Sequence, residues 1–173
     1  MRRVLVIGSG GAGKSTFAIE LAKRTGLPLV HLDALYWQPG WQPLSKSAWA
    51  STVERLIAEE RWIMDGNFGG SLERRLAACD TVVFLDLPWW ICLWRVIGRR
   101  VRHHGRTRPE MSAGCNERLD WAFLWWIFSY PWQRRPAILR RLASLMPGQR
   151  AIILRSRQQA ENLLDTINLR STL

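Results

Sequence analysis

A three-layer α/β fold, with a parallel five-stranded sheet and helices on both faces, is what this sequence predicts. Three observations carry that reading. Short apolar runs alternate with helix-period segments along nearly the whole chain. The first apolar run breaks into the glycine-rich stretch Gly8-Ser9-Gly10-Gly11-Ala12-Gly13-Lys14-Ser15-Thr16 and then into a helix. Carboxylates fall near the carboxyl ends of the later strands, where ligands of open parallel sheets bind.

Taken in order, Val4 to Ile7 forms the first strand and residues from Ser15 to about Lys23 the first helix, inward partly through Phe17, Ile19 and Leu21. Gly26 ends that unit, and Leu29 to His31 is a second strand leading to Asp33. A loop with Tyr36, Trp37, Pro39, Gly40, Trp41 and Pro43 follows. Ser45 or Ser47 caps the next helix, which runs to about Glu60 on Trp49, Val53, Leu56 and Ile57. Trp62 to Met64 is the third strand, closed by Asp65-Gly66-Asn67, and Ser71 caps a short helix through Ala77. Thr81 to Leu85 is the fourth strand and ends in Asp86. Pro88 then opens a helix from Trp89 to about Val101 with Arg95 and Arg99 on one face. Residues 103–116 lack periodicity and read as a loop. A Trp-rich helix covers about 118–129 and stops at Pro131; another spans about Pro136 to Leu145. Ala151 to Leu154 is the fifth strand, and Ser156 with Gln159 forms a capping box for the last helix.

The glycine-rich stretch meets G-x-x-x-x-G-K-[ST] at every fixed position, between a strand and a helix, which makes the fold a P-loop NTPase fold. The amides of Gly8, Gly10, Gly11, Ala12, Gly13 and Thr16 turn around a phosphate, Lys14 adds a positive charge, and Ser15 offers a hydroxyl to Mg²⁺. The helix behind it directs its positive end at the same anion. A bare strand-to-helix turn needs neither the lysine nor the hydroxyl, so the chain is expected to bind a nucleoside triphosphate, ATP, with Mg²⁺. Mg²⁺ also needs a nearby carboxylate, and Asp65 and Asp86 are the two candidates; a turn cap is the plainer use of either. Asp33 suits orientation of an attacking hydroxyl, against a second turn-cap reading. His31, Trp37, Trp41 and Asn67 surround the same end of the sheet and suit a small phosphoryl acceptor, with core packing the competing use of the tryptophans and of His31.

At 173 residues the chain fits one domain, 1–173, with a lid over about 102–117. The formal net charge is +11, almost all of the positive side being arginine, since Lys14, Lys23 and Lys46 are the only lysines. Arginines gathered around polyphosphates explain this, and so does contact with a nucleic-acid backbone. No helix-turn-helix or zinc-finger pattern accompanies the charge, and its densest cluster starts at Arg95, Arg99 and Arg100 and extends across the lid to Arg118, where closure would exclude water. Cys79, Cys92 and Cys115 lack metal-ligand spacing and read as two buried thiols and a loop thiol in a reducing, cytoplasmic setting. The longest later apolar stretch, Trp121 to Tyr130, is too short to span a bilayer. No membrane partner is expected, and a monomer or homodimer fits equally.

Several of these stretches in order resemble the small P-loop kinases of the adenylate kinase-like superfamily, and more closely the bacterial DNA topology modulation proteins. They are Gly8 to Thr16, His31-Leu-Asp33 with Trp37 and Trp41, Trp62-Ile-Met-Asp-Gly-Asn67, Leu85-Asp-Leu-Pro88, Gly105-Arg-Thr-Arg-Pro109 and Ile153-Leu-Arg-Ser-Arg157. The resemblance implies a phosphotransferase in which Asp65 helps hold Mg²⁺ through water. Arg95 would pack on adenine, Arg99 and Arg118 would reach the transferring phosphoryl, and the loop from Arg155 to Arg157 would border the adenine. Adenylate kinases continue their Asp-Gly with Phe-Pro-Arg; here Asn67-Phe68-Gly69 stands instead, which points from a nucleoside monophosphate to a nucleoside or other hydroxyl compound. The resemblance also implies an effect on DNA. The only tyrosines, Tyr36 and Tyr130, have ordinary packing explanations, so no strand-cutting nucleophile is evident.

Overall fold

A computed structural model describes residues 1–102, 114 and 120–171. Five strands, β1 (Arg3–Gly8), β2 (Leu29–His31), β5 (Trp62–Asp65), β6 (Thr81–Leu85) and β7 (Arg150–Leu154), form one sheet in the order β2-β5-β1-β6-β7. Every pairing in it is parallel. β1 is central, and the chain crosses from β5 on one side of it to β6 on the other. That reversal opens a crevice at the carboxyl end of β1.

Alternation along the strands builds both cores. Val4 and Val6 face α1 (Lys14–Thr25), α5 (Trp89–Arg102), α6 (Trp121–Gln133) and α8 (Arg157–Ser171), in a layer with Phe17, Leu21, Val96, Ile127 and Leu164. Leu5 and Ile7 face α4 (Gly69–Ala78) and α7 (Arg135–Ala143), with α3 (Lys46–Ala58) at the margin, in a layer with Trp62, Met64, Phe84 and Leu142. The expected three layers are therefore present.

Differences from the sequence reading are local. α1 buries Phe17, Ala18 and Leu21, and Ile19 is only half-buried. The stretch after β2 is not simply a loop: buried Leu32 anchors the short helix α2 (Leu32–Tyr36), and β3 (Trp37–Gln38) pairs with β4 (Gln42–Pro43) as a hairpin. Its turn passes through Gly40 and Trp41, both at positive φ. Asp33 consequently sits in the first turn of α2. Ser45, not Ser47, caps α3, accepting from the Ala48 amide at 3.2 Å. Ser71 is not a cap; α4 begins at Gly69, and Ser71 lies buried inside it. α6 starts at Trp121, capped by Asp120, and runs through Pro131 to Gln133. Pro131 falls in its last turn, where one missing amide does not end the helix. Ser156 and Gln159 bond as expected at the start of α8, the Gln159 amide donating to Ser156 Oγ while its side chain accepts from the Arg155 amide.

Candidate phosphate-binding site

The phosphate loop leaves β1 at the sheet's central crevice. Gly11 is at φ 78°, and a Cβ there would lie 2.2 Å from the Cys92 carbonyl oxygen of α5, so only glycine fits the turn. Gly13 is at φ 92° and is the residue before α1. No side chain caps α1 and no acidic residue occupies its first turn, so its amino end keeps its positive pole for an outside anion. Lys14 Nζ donates to the Ser9 carbonyl at 3.1 Å, which holds the ammonium at the loop. Arg95 Nη1 approaches the Ala12 carbonyl at 3.5 Å from α5, bringing that arginine to the same loop.

The carboxyl end of β5 supplies the second part. Strand register sets Asp65 beside Val6 of β1 and beside His31 of β2. His31 Nδ1 and Asp65 Oδ2 are 3.0 Å apart, with the Asp65 side chain only 5% exposed. Asp65 Oδ1 is buried and has no hydrogen-bond partner among the described residues. An orphaned buried carboxylate oxygen at the phosphate crevice fits Mg²⁺, which binds few protein oxygens and retains several waters. Asp86 differs. Its carboxylate is gripped by Arg135, Nε to Oδ1 at 2.7 Å and Nη2 to Oδ2 at 2.8 Å, with Arg155 Nε 3.8 Å from Oδ2. Of the two carboxylates, only Asp65 keeps an unbonded oxygen.

Asn67 is tied to the loop instead of pointing a free amide at an acceptor: the Gly8 amide donates to its Oδ1 at 3.1 Å, and its Nδ2 donates to the Gly8 carbonyl at 2.7 Å. Sequence reasoning missed Arg75. It is completely buried in α4, donating from Nη1 to the Gly66 carbonyl at 2.9 Å and from Nη2 to the carbonyls of Asn67 and Phe68. Burial pushes its guanidinium down to about 10. Arg75 thus fixes the turn that follows Asp65. Its place among surface-like charges in Glu73-Arg74-Arg75 carries no signal of this.

Around the expected acceptor site, aromatic rings cluster. Tyr36 lies 4.9 Å from Trp37, 5.1 Å from Trp49 and 4.8 Å from Phe68, and Trp37 lies 5.6 Å from Trp41. Trp49 and Phe68 were not among the expected site residues. Arg157 is exposed and donates from Nε to Glu161 at 2.7 Å, within α8. Arg99 lies on α5, whereas Arg118 and most of the lid (103–113 and 115–117) fall outside the described residues. Among the described residues, no group of three or more His, Cys, Asp or Glu side chains is arranged to hold a metal.

Comparison with known proteins places this geometry. Solved structures align over nearly the whole chain. A shikimate kinase from Bacteroides thetaiotaomicron matches with a TM-score of 0.58 at 17% identity, covering 99% of this chain and 99% of its own. A shikimate kinase from Acinetobacter baumannii, solved with shikimate, gives 0.56 at 17% identity, covering 96% and 90%. A gluconokinase from Sinorhizobium meliloti 1021 gives 0.52 at 17% identity, covering 98% and 94%. The chain shares the three-layer P-loop fold of these structures. A family model for isopentenyl transferase matches residues 1–76, the segment from β1 into α4. In sequence, no curated protein matches the chain. Among the described residues no helix is long and apolar enough to cross a membrane.

Proposed function

We propose that this chain is a Mg²⁺-dependent phosphotransferase that moves the γ-phosphoryl of ATP to a hydroxyl of a small acceptor. The observation that carries the reading is the pairing, at one crevice, of an uncapped helix amino end behind Lys14 with the unbonded oxygen of Asp65. Loop amides from Gly8 to Thr16 and Lys14 would bind the β- and γ-phosphates, while Ser15 and Asp65 would hold Mg²⁺, which supplies charge neutralisation at the phosphates. Arg95 and the loop from Arg155 to Arg157 would flank the adenine; Arg99 and Arg118 would offset charge on the moving group. Asp33 would orient the acceptor hydroxyl and take its proton as the bond to ADP breaks and the new P–O bond forms.

The rings support one class of acceptor. Tyr36, Trp37, Trp41, Trp49 and Phe68 favour a compound with a flat or apolar face over a polyanion. The small-molecule kinase likeness of the fold supports this over a macromolecular substrate. The closer resemblance to DNA topology modulation proteins rests on the sequence motifs alone. Tyr130 gives it no chemistry: its hydroxyl is buried, and burial pushes its pKa well above the usual tyrosine range. One second reading has its own observation. The segment matched by the isopentenyl transferase model contains both the phosphate loop and the aromatic cluster, which would equally receive an isopentenyl group. The test is product mass after incubating Mg-ATP with nucleosides, sugars and hydroxy acids. Acceptor-dependent ADP with a phosphorylated product is expected. ATP binding without any phosphorylated product overturns the kinase reading, and an isopentenylated product from an isopentenyl donor establishes the second.

A further inference from the structure

Two helices press on the phosphate loop with one side and turn tryptophan outward with the other. On the inner side, Cys92 and Val96 of α5 lie against Gly11, and Phe123 and Ile127 of α6 lie against Gly10. On the outer side Trp90 and Trp94 of α5 are 58% and 77% exposed, and Trp121, Trp125 and Trp132 of α6 are 82%, 62% and 62% exposed. Trp89 and Phe128 join Trp90, Trp125 and Trp132 into one run of rings: Trp90 meets Trp89 at 5.9 Å, Trp89 meets Phe128 at 4.9 Å, and Phe128 meets both Trp125 and Trp132 at 5.4 Å.

A helix that is apolar on all sides normally has all of its sides covered. α6 has no charged residue between Trp121 and Gln133, yet Trp121, Trp125 and Trp132 face outward while only Trp126 packs inward. On α5, Trp90, Trp94 and Ile97 recur at i, i+4 and i+7, while Arg95 and Arg99 occupy the neighbouring stripe. The chain is strongly basic, but among the described residues α6 brings no charge to this face. Apolar, aromatic-rich and charge-depleted is the make-up of a protein–protein interface core, whereas nucleic-acid and anionic-lipid surfaces call for cations among the rings. With a tryptophan presenting on the order of 250 Å², the five exposed ones add to roughly 800 Å², the share that one partner brings to a standard-size interface.

We infer that this face is where a second copy of the chain docks, α5 and α6 of one protomer packing on α5 and α6 of its partner. A two-fold arrangement sets the same self-complementary patch against itself and makes a four-helix layer from two pairs. Because the inner faces are packed on the phosphate loop, the outer tryptophans sit on a firm base and little ordering cost opposes association. The dimer stands independently of the phosphotransferase reading.

Sedimentation velocity on the full chain tests it. The expected mass is twice that of one chain at micromolar concentration, and Trp94→Glu with Trp125→Glu is expected to run as a monomer with an unchanged circular dichroism spectrum. Should that double variant misfold, the milder Trp94→Ser is expected to weaken the dimer about tenfold or more. A wild-type chain that stays monomeric up to high micromolar concentration overturns the inference, as does a dimer that the folded variants leave intact. Monomeric wild type that floats with phosphatidylcholine vesicles, while the double variant does not, also overturns it and gives the face to lipid.

Discussion

His31 Nδ1 lies 3.0 Å from Asp65 Oδ2, a contact between the ends of two adjacent parallel strands, while Asp65 Oδ1 stays buried without a partner among the described residues. One oxygen is used to orient the carboxylate and the other is left for an outside ligand. This division suits the cation role proposed for Asp65, because a hydrogen bond from outside the ligand set orients a metal-binding carboxylate. Asp65→Asn keeps the shape and removes the charge. Turnover at saturating ATP is expected to fall about 100-fold, with a raised Mg²⁺ requirement. Steady-state rates across a Mg²⁺ titration check it, and an unchanged Mg²⁺ dependence removes Asp65 from the metal site.

Lys14 is already drawn to the loop through the Ser9 carbonyl. Its replacement leaves the backbone cradle intact and takes away the mobile positive charge, so Lys14→Ala is expected to lose on the order of 100- to 1,000-fold in kcat with the fold preserved. Single-turnover rates alongside a melting curve measure this; turnover at the wild-type level refutes the phosphate-loop chemistry.

Arg75 holds three backbone carbonyls that follow Asp65, and it does so while fully buried. Arg75→Met fills similar space yet leaves the Gly66 and Asn67 carbonyls without the guanidinium, while the Phe68 carbonyl keeps the Ser71 amide and hydroxyl, so a loss of about 3 kcal/mol is expected. Urea unfolding gives the value directly. The variant should also bind ATP less tightly, because Asn67 anchors Gly8 from the same turn. A variant as stable as wild type would mean that water replaces the guanidinium.

Asp80 tests the acid limb of stability. Burial opposes its charge, but hydrogen bonds from Thr81 Oγ1 and the amides of Arg3 and Arg2 outweigh that and hold its pKa below the ordinary aspartate value. A depressed folded pKa contributes stability above the unfolded value, near 4, and loses it as pH falls through the folded one. The stability gap between wild type and Asp80→Asn is therefore expected to be full above pH about 4 and to close below it. Denaturant midpoints at several acidic pH values follow the gap; a constant gap contradicts the assignment.

Much of the fold was legible because its signals are local. Val4–Ile7 running into Gly8–Thr16 announces strand, phosphate loop and helix within one short segment, and apolar runs of strand length mark the later strands. Element type and order follow from such patterns, and so do the residues proposed to cradle phosphate. The aromatic hairpin at Trp37–Pro43 escaped because two-residue strands carry no periodicity. Strand order, by contrast, is a matter of contacts between distant segments, and it alone brings Asp65 against His31 and beside Val6. Asp65 and Asp86 look alike as strand-end aspartates; the fold gives Asp86 the fork of Arg135, 49 residues away, and leaves Asp65 an open oxygen. Likewise the sequence cannot separate Arg75 from exposed Arg74 next to it, since a side chain's partner is chosen by which face of the helix meets the sheet. What the sequence by itself determined is the chemistry on offer. Tertiary structure decided which of those groups are consumed by the fold and which remain for a ligand, because burial and long-range hydrogen bonding exist only once the layers have packed.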